Sequence, residues 1–202
     1  KAARKYSSDK YGSERNVIVS LINSFHGRTV TTLAATGQDE FHNSFLPLTG
    51  GFVHTPPDDI EALKKLVDEN PNIAAFMIEA VQGEGGIVPL DPAFVTAMAE
   101  LAEEKDILII CDEVQCGNGR TGKLYAYMNY GITPDIVSTA KGLGGGLPLG
   151  ATMMGEKTEN TLGPGTHGST FGGNPVCCAG ALSILSRLDD ALLADVKAKS
   201  DY

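Results

Sequence analysis

The sequence predicts an α/β fold built on a mainly parallel sheet with helices on both faces. Apolar, β-branched runs alternate along the chain with segments of helical period, which is the order that builds a parallel sheet. The runs are continuous and do not alternate with polar residues, as expected of strands covered on both faces. Two of them, Ile109-Ile110-Cys111-Asp112 and Ser138-Thr139-Ala140-Lys141, also end in a single ionisable residue ahead of glycine-containing sequence. In an open parallel sheet the carboxyl ends of the strands form the ligand crevice, so Asp112 and Lys141 are placed to face one bound molecule.

Taken in order, the chain opens on a basic segment, Lys1-Ala2-Ala3-Arg4-Lys5-Tyr6, that reads as the last turns of a helix. Residues 17–23 form an apolar strand and 28–35 a helix. A short strand near 52–54 precedes a helix over 58–69, where Asp58 and Asp59 sit at the start and Ile60, Leu63, Leu66 and Val67 make the inner face. A strand at 73–79 leads to a helix over Pro92–Lys105, with Phe94, Met98, Leu101 and Ala102 at helical spacing. Strands follow at 107–112, Ile136–Thr139 and Ala151–Met154, then a small-residue helix at 174–188. The pattern stays helical over 182–202 and ends without a terminating Gly or Pro, so residues 1–202 read as one piece of a longer protein. Strand order is not encoded in such a pattern.

Composition narrows the function. A chain of 202 residues can bury one full core. A formal charge of −9 with no Lys/Arg run argues against nucleic acid as a partner. No apolar stretch reaches the roughly 18 residues of a membrane helix, and no signal peptide opens the chain. Cys111, Cys116, Cys177 and Cys178 match no zinc spacing, and His26, His42, His54 and His167 are scattered. The expectation is reduced thiols, no metal and a cytoplasmic protein.

A Lys amine beside an Asp carboxylate is the pair that pyridoxal phosphate requires: an amine for a Schiff base and an anion for the pyridinium nitrogen. The apolar strand before Lys141 suggests partial desolvation, which favours a nucleophilic amine. Gly142-Leu143-Gly144-Gly145-Gly146 follows, and glycines let backbone and ligand crowd that amine. Asp112 and Glu113, being adjacent, point to opposite faces in strand geometry, so only one reaches the crevice. Asp112 is the expected one; the alternatives for it are a helix cap or an ion pair with Arg120. Phe25 or His26 can stack on an aromatic ring, and Arg28 can fork onto a carboxylate, at the end of the first strand. Glu79 and Glu84 follow the strand that begins at Ile73. Ser169 and Thr170 offer hydroxyls ahead of a helix, a phosphate contact. Gly117-Asn118-Gly119-Arg120-Thr121-Gly122-Lys123 fits two nucleotide-loop patterns, yet residues intervene between strand and loop, and Leu124 stands where magnesium needs Ser or Thr. A loop whose glycines take positive φ is the third possibility.

The segments SFHGRT (24–29), QGEGG (82–86), DEVQCGNGRTG (112–122), AKGLGGGLPLGA (140–151) and HGSTFGGNP (167–175) together resemble the class III (subgroup II) aminotransferases of the pyridoxal-phosphate fold type I. They occur in family order and cover nearly the whole chain. LAATGQDEF (33–41) is most similar to the branch that acts on acetylornithine, with ornithine, 4-aminobutyrate and succinylornithine as alternative donors.

The resemblance implies a fold type I large domain and amino transfer from N-acetylornithine to 2-oxoglutarate, a step in arginine biosynthesis. Lys141 would hold pyridoxal phosphate and shuttle the proton, and Asp112 would pair with its ring nitrogen. Phe25 and Val114 would pack on the two ring faces, with His26 beside them, and Gln115 would reach the ring's phenolic oxygen. Thr170, with Ser169, would reach the cofactor phosphate in a neighbouring subunit, making a homodimer. Arg28 would bind the donor's α-carboxylate, and Glu79 and Glu84 would line the substrate side. A Ser-Gly-(Ala/Thr)-Glu phosphate loop and a C-terminal small domain of that family have no counterpart in these residues. The isolated chain is therefore expected to be a weak or inactive catalyst, and a purely cofactor-binding or structural fragment is the alternative.

Overall fold

The computed structural model describes residues 1–200; the final two residues of the expected terminal helix, Asp201 and Tyr202, lie outside the described residues. The elements in chain order are α1 (Ala2–Tyr11), β1 (Val17–Leu21), α2 (Val30–Ala35), β2 (Phe52–Thr55), α3 (Ile60–Glu69), β3 (Ile73–Ile78), β4 (Val81–Gln82), β5 (Val88–Pro89), α4 (Pro92–Lys105), β6 (Leu108–Asp112), β7 (Ile136–Thr139), β8 (Ala151–Met154), α5 (Pro175–Leu185) and α6 (Asp190–Ser200). Their starts follow local chemistry. Asp59 caps α3 by accepting from Ala62 N at 2.9 Å, and Asp91 caps α4 from Ala93 N at 2.7 Å with Pro92 in the first turn. Asn174 and Pro175 open α5 in the same way.

Six strands form the main sheet in the order β2-β1-β3-β6-β7-β8, and β4 pairs with β5 in a small separate ribbon. All contacts from β2 to β7 are parallel; β8 alone runs antiparallel, against β7. The expected mainly parallel α/β sheet is thus observed. Its central strands alternate between two apolar layers with the period of two that a pleated strand imposes. Val19, Leu21, Phe76 and Ile78 join Leu63, Val67, Phe94 and Met98 of α3 and α4, whereas Ile18, Ala75 and Leu108 join Ala2 and Ala3 of α1. Both faces are therefore covered.

The first helix is longer than the few residues expected, because its end is pinned from outside. Asp106, in left-handed backbone after α4, accepts from Lys10, Tyr11 and Tyr6, and Lys157 approaches its other oxygen at 3.5 Å. The helical pattern over 174–202 also breaks where the sequence reads continuous. α5 stops at Leu185, and Asp189 starts α6 by accepting from Leu192 N at 2.8 Å.

Strand order locates the crevice. From β1 the chain leaves to one side to make β2, and from β3 to the other side to make β6. The carboxyl ends of β1 and β3 therefore flank a topological switch, the place where an open α/β sheet binds its ligand.

Candidate active site

Four strand ends meet at this rim. The segment after β1 brings Phe25, His26 and Arg28; that after β3 brings Glu79; β6 ends in Asp112; and β7 is followed by Lys141. Asp112 and Ser138 are paired across β6 and β7, so the two ionisable strand ends are neighbours in the sheet.

Asp112 is held on both oxygens. Oδ2 lies 2.9 Å from His26 Nδ1, and Oδ1 accepts from Val114 N at 3.1 Å. The His26 side chain is fully buried, and its backbone N–H donates to Thr36 Oγ1 at 2.9 Å. The remaining ring nitrogen, Nε2, is buried without a partner among the described residues. His26 therefore sits behind the carboxylate and orients it, with no ion pair between Asp112 and Arg120. That His–Asp contact was not legible beforehand, since it joins residues 86 apart.

Glu113 turns to the opposite face, as adjacency in a strand requires. Its side chain is buried and accepts from Ala126 N at 2.8 Å, Tyr127 N at 2.9 Å and Cys116 Sγ at 3.4 Å. Burial pushes its carboxyl up, while the Ala126 and Tyr127 amides pull the other way. Burial likewise raises both Cys116 and Cys111, so these thiols stay protonated.

Lys141 Nζ donates to Gln115 Oε1 at 2.7 Å. Its backbone is left-handed at φ 45, a position that an L residue occupies only when its surroundings hold it. Asn118 supplies part of that hold: its side-chain amide donates to Thr139 Oγ1 and Ala140 O, both at 3.1 Å, just ahead of the lysine. The expected desolvation of Lys141 is not found. The strand ends at Thr139 and the chain turns outward in a 3-10 turn, Lys141–Gly144, which leaves the side chain exposed.

The glycine-rich loop that contains Asn118 serves this positioning. Asn118, Gly119 and Gly122 have positive φ, and a Cβ on Gly119 would lie 3.0 Å from Leu188 in the segment leading into α6. No helix opens from the loop; a 3-10 turn, Ala126–Asn129, follows. Without a helix N-terminus to receive a phosphate, both nucleotide readings lose their physical basis. At Gly83 the constraint is steric, because a Cβ there would come within 2.1 Å of Gln115 Nε2. A side chain there would push Gln115 off its path toward Lys141.

The remaining residues are placed as follows. Glu79 is buried, its Oε1 accepting from Phe25 N at 2.8 Å and Oε2 from Gly83 N at 3.2 Å, and burial raises its carboxyl. It ties the β1 and β3 rims together. Glu84 and Gln115 are exposed, and Val114 is half-buried. The Arg28 guanidinium stands 4.4 Å from the Phe41 ring centroid and 5.6 Å from that of Phe25, contacts worth about 0.5–1 kcal/mol each at an exposed site. Ser169 and Thr170 are exposed in a segment with neither helix nor strand ahead of α5. Sequence reading missed the roles of His26, Asn118 and Phe41, each defined by a contact across the fold.

Comparison with known proteins agrees with this architecture. The aminotransferase class-III family model matches residues 1–202. The acetylornithine aminotransferase of Haemophilus ducreyi is 52% identical over 98% of this chain and 50% of its own length. The succinylornithine transaminase of Photorhabdus laumondii is 44% identical over 100% of the chain and 50% of its own. The chain thus spans about half the length of these curated relatives. Among solved structures, the ornithine aminotransferase of Toxoplasma gondii superposes with a TM-score of 0.86 at 36% identity, covering 97% of this chain and 46% of that one. A second structure of that enzyme reveals partial occupancy of PLP at its active site. A parallel sheet with its switch between β1 and β3, an aspartate and a lysine on neighbouring strand ends, and these relatives lead to one conclusion: the chain belongs to the aminotransferase class-III family, with the fold type I architecture.

Proposed function

We propose that this chain is the central part of the large domain of a pyridoxal-phosphate-dependent transaminase, with N-acetylornithine as amino donor and 2-oxoglutarate as acceptor. The observation that carries the reading is the Lys141–Gln115 contact beside the His26-backed Asp112, on adjacent strand ends of a class III fold. The donor set fits pyridoxal phosphate: a Lys amine, and a carboxylate held by His26 and Val114 that keeps acceptor capacity to spare. When bound, pyridoxal phosphate supplies an aldehyde that condenses with amines and a protonated ring that draws electrons from the substrate α-carbon.

The chain's own residues do the rest. Asp112 would pair with the ring nitrogen as a fixed anion, and His26 keeps that carboxylate from rotating. Lys141 Nζ would hold the cofactor and take the proton from the substrate α-carbon, while Gln115 sets where the amine rests. Phe25, held by Glu79, and Val114 bound the ring. Arg28 receives the donor's carboxylate, and Glu84 stands exposed on the substrate side. Glu79 lies one layer deeper and acts on substrate through the segments it joins. Exposed Ser169 and Thr170 would hold the cofactor phosphate of a second copy, so that the working unit would be a homodimer.

The donor assignment is supported by 52% identity to an acetylornithine aminotransferase, and the 44% identity to a succinylornithine transaminase makes that homologous donor the second candidate. A place in arginine biosynthesis follows from the first of these donors. No helix among the described residues is long and apolar enough to cross a membrane.

The test is borohydride reduction, with pyridoxal phosphate, of the full-length protein of which this chain is the central part, followed by peptide mapping. Label confined to Lys141, and discharge of the colour by N-acetylornithine, are expected. Label scattered over surface lysines overturns the reading.

A further inference from the structure

Phe41 belongs to no motif that carries obvious chemistry, yet it seats the Arg28 guanidinium. Arg28 Cζ lies 4.4 Å from its ring centroid, and Phe41 meets Phe25 edge to face at 85° with centroids 6.0 Å apart. Among the described residues Arg28 makes no hydrogen bond and no ion pair, so its N–H groups are uncommitted. An exposed arginine otherwise has large rotamer freedom. Two aromatic faces restrict it without using a single N–H, which leaves the planar fork for a carboxylate.

Both rings are themselves anchored, and by different parts of the fold. Phe41 closes a 3-10 turn, Asp39–Phe41, and the next residue, His42, is buried with Nε2 2.8 Å from Thr36 O and 3.1 Å from Leu33 O at the end of α2. The Phe25 backbone N–H is held by Glu79 across the rim. Two loops with independent tethers therefore converge on one cation.

We propose that Phe41 is a positioning residue for carboxylate recognition: it holds Arg28 in the orientation that receives the amino donor. This inference rests on the reading of Arg28 given above. By it, Phe41 selects for donors whose carboxylate arrives in the plane of the Arg28 fork, and acts on their binding more than on the chemical step.

The test measures the dissociation constant of N-acetylornithine by titration calorimetry on the full-length protein, together with KM and kcat, in Phe41→Ala, Phe41→Leu, Phe41→Tyr, Arg28→Ala and the Phe41→Ala/Arg28→Ala double variant. Phe41→Ala and Phe41→Leu are expected to weaken donor binding about five-fold with kcat within about two-fold, and Phe41→Tyr to restore it, because only the π face matters. Phe41→Leu keeps the apolar volume and guards against loss of folding. In the Arg28→Ala background Phe41→Ala is expected to add nothing. The inference is overturned if Arg28→Ala weakens binding while Phe41→Leu does not, or if the Phe41 effect persists undiminished without Arg28. No effect from Arg28→Ala, or no donor binding by the parent full-length protein, refutes the Arg28 reading itself and removes the basis for both.

Discussion

Asp112 and Glu113 are the same chemical group at consecutive positions, and they do different work. The Asp112 side chain, 9% exposed at the strand end, spends one oxygen on His26 and the other on Val114 N. Each oxygen keeps acceptor capacity beyond these two contacts. Glu113, on the other face of β6, is fully buried and committed to two backbone amides and a thiol, which fasten the loop after β6 to the body of the sheet. The difference lies in what each carboxylate has left over. A group with spare acceptor capacity at an opening can meet a ligand; one whose partners are all internal serves the fold.

That contrast is sharpest where activity and stability can be separated. Lys141→Ala is expected to have the largest effect, abolishing borohydride-trapped label and reducing turnover below detection while the thermal midpoint barely moves, since an exposed side chain is lost. Asp112→Asn comes next, lowering kcat by about two to three orders of magnitude, the scale for losing one preorganised charge contact, with a small change in midpoint. If Asp112→Asn instead unfolds the protein at full specific activity of what remains, the division between the two carboxylates fails.

Glu113→Ala should show the opposite signature. It strands the Ala126 and Tyr127 N–H groups in a buried setting, at about 1–3 kcal/mol each, so the midpoint should drop by about 5–15 °C. The specific activity of the folded fraction should stay near that of the parent. Burial also raises the Glu113 carboxyl, so the native state favours its protonated form; that contribution is present at low pH and is lost as pH rises through the raised value. Glu113→Gln should accordingly narrow its deficit against the parent as pH rises, measured by midpoints across a pH series.

The smallest effect is expected at the far end of the sheet. Burial alone would raise the Asp106 carboxyl, but hydrogen bonds from Lys10 and Tyr11 outweigh it and hold it at about 2. A depressed carboxyl stabilises the fold above its unfolded value and loses that contribution as pH falls toward about 2. Asp106→Asn should cost about 1 kcal/mol at pH 7, discounted for partial exposure, and progressively less as pH falls toward 2. Activity should be untouched, because this cluster lies at the amino ends of the strands, away from the crevice.

Much of this molecule was legible in its sequence, and the limits have physical causes. The strand at Ile136–Thr139 and the helix at Pro92–Lys105 match in full, because a buried apolar run and an Asp-Pro start are local signals; Ala151–Met154 also matches, although that edge strand is mostly exposed. The opposed facing of Asp112 and Glu113 followed from pleat geometry alone. By contrast, the exposure of Lys141 depended on a backbone turn with φ 45 that the tether from Asn118 holds, and the break between α5 and α6 on an Asp189 cap inside a continuous helical pattern.

By itself, the sequence determined the fold class, the family and the identities of the groups that end the strands, since each is written in short-range pattern and motif. Only the tertiary structure decided strand order, and with it the β1/β3 switch that draws distant segments onto one rim. It also decided partners: His26 for Asp112, backbone amides for Glu113 and Glu79, and Phe41 for Arg28. Such pairings join residues far apart in the chain and depend on how sheet and loops pack, so no local pattern encodes them.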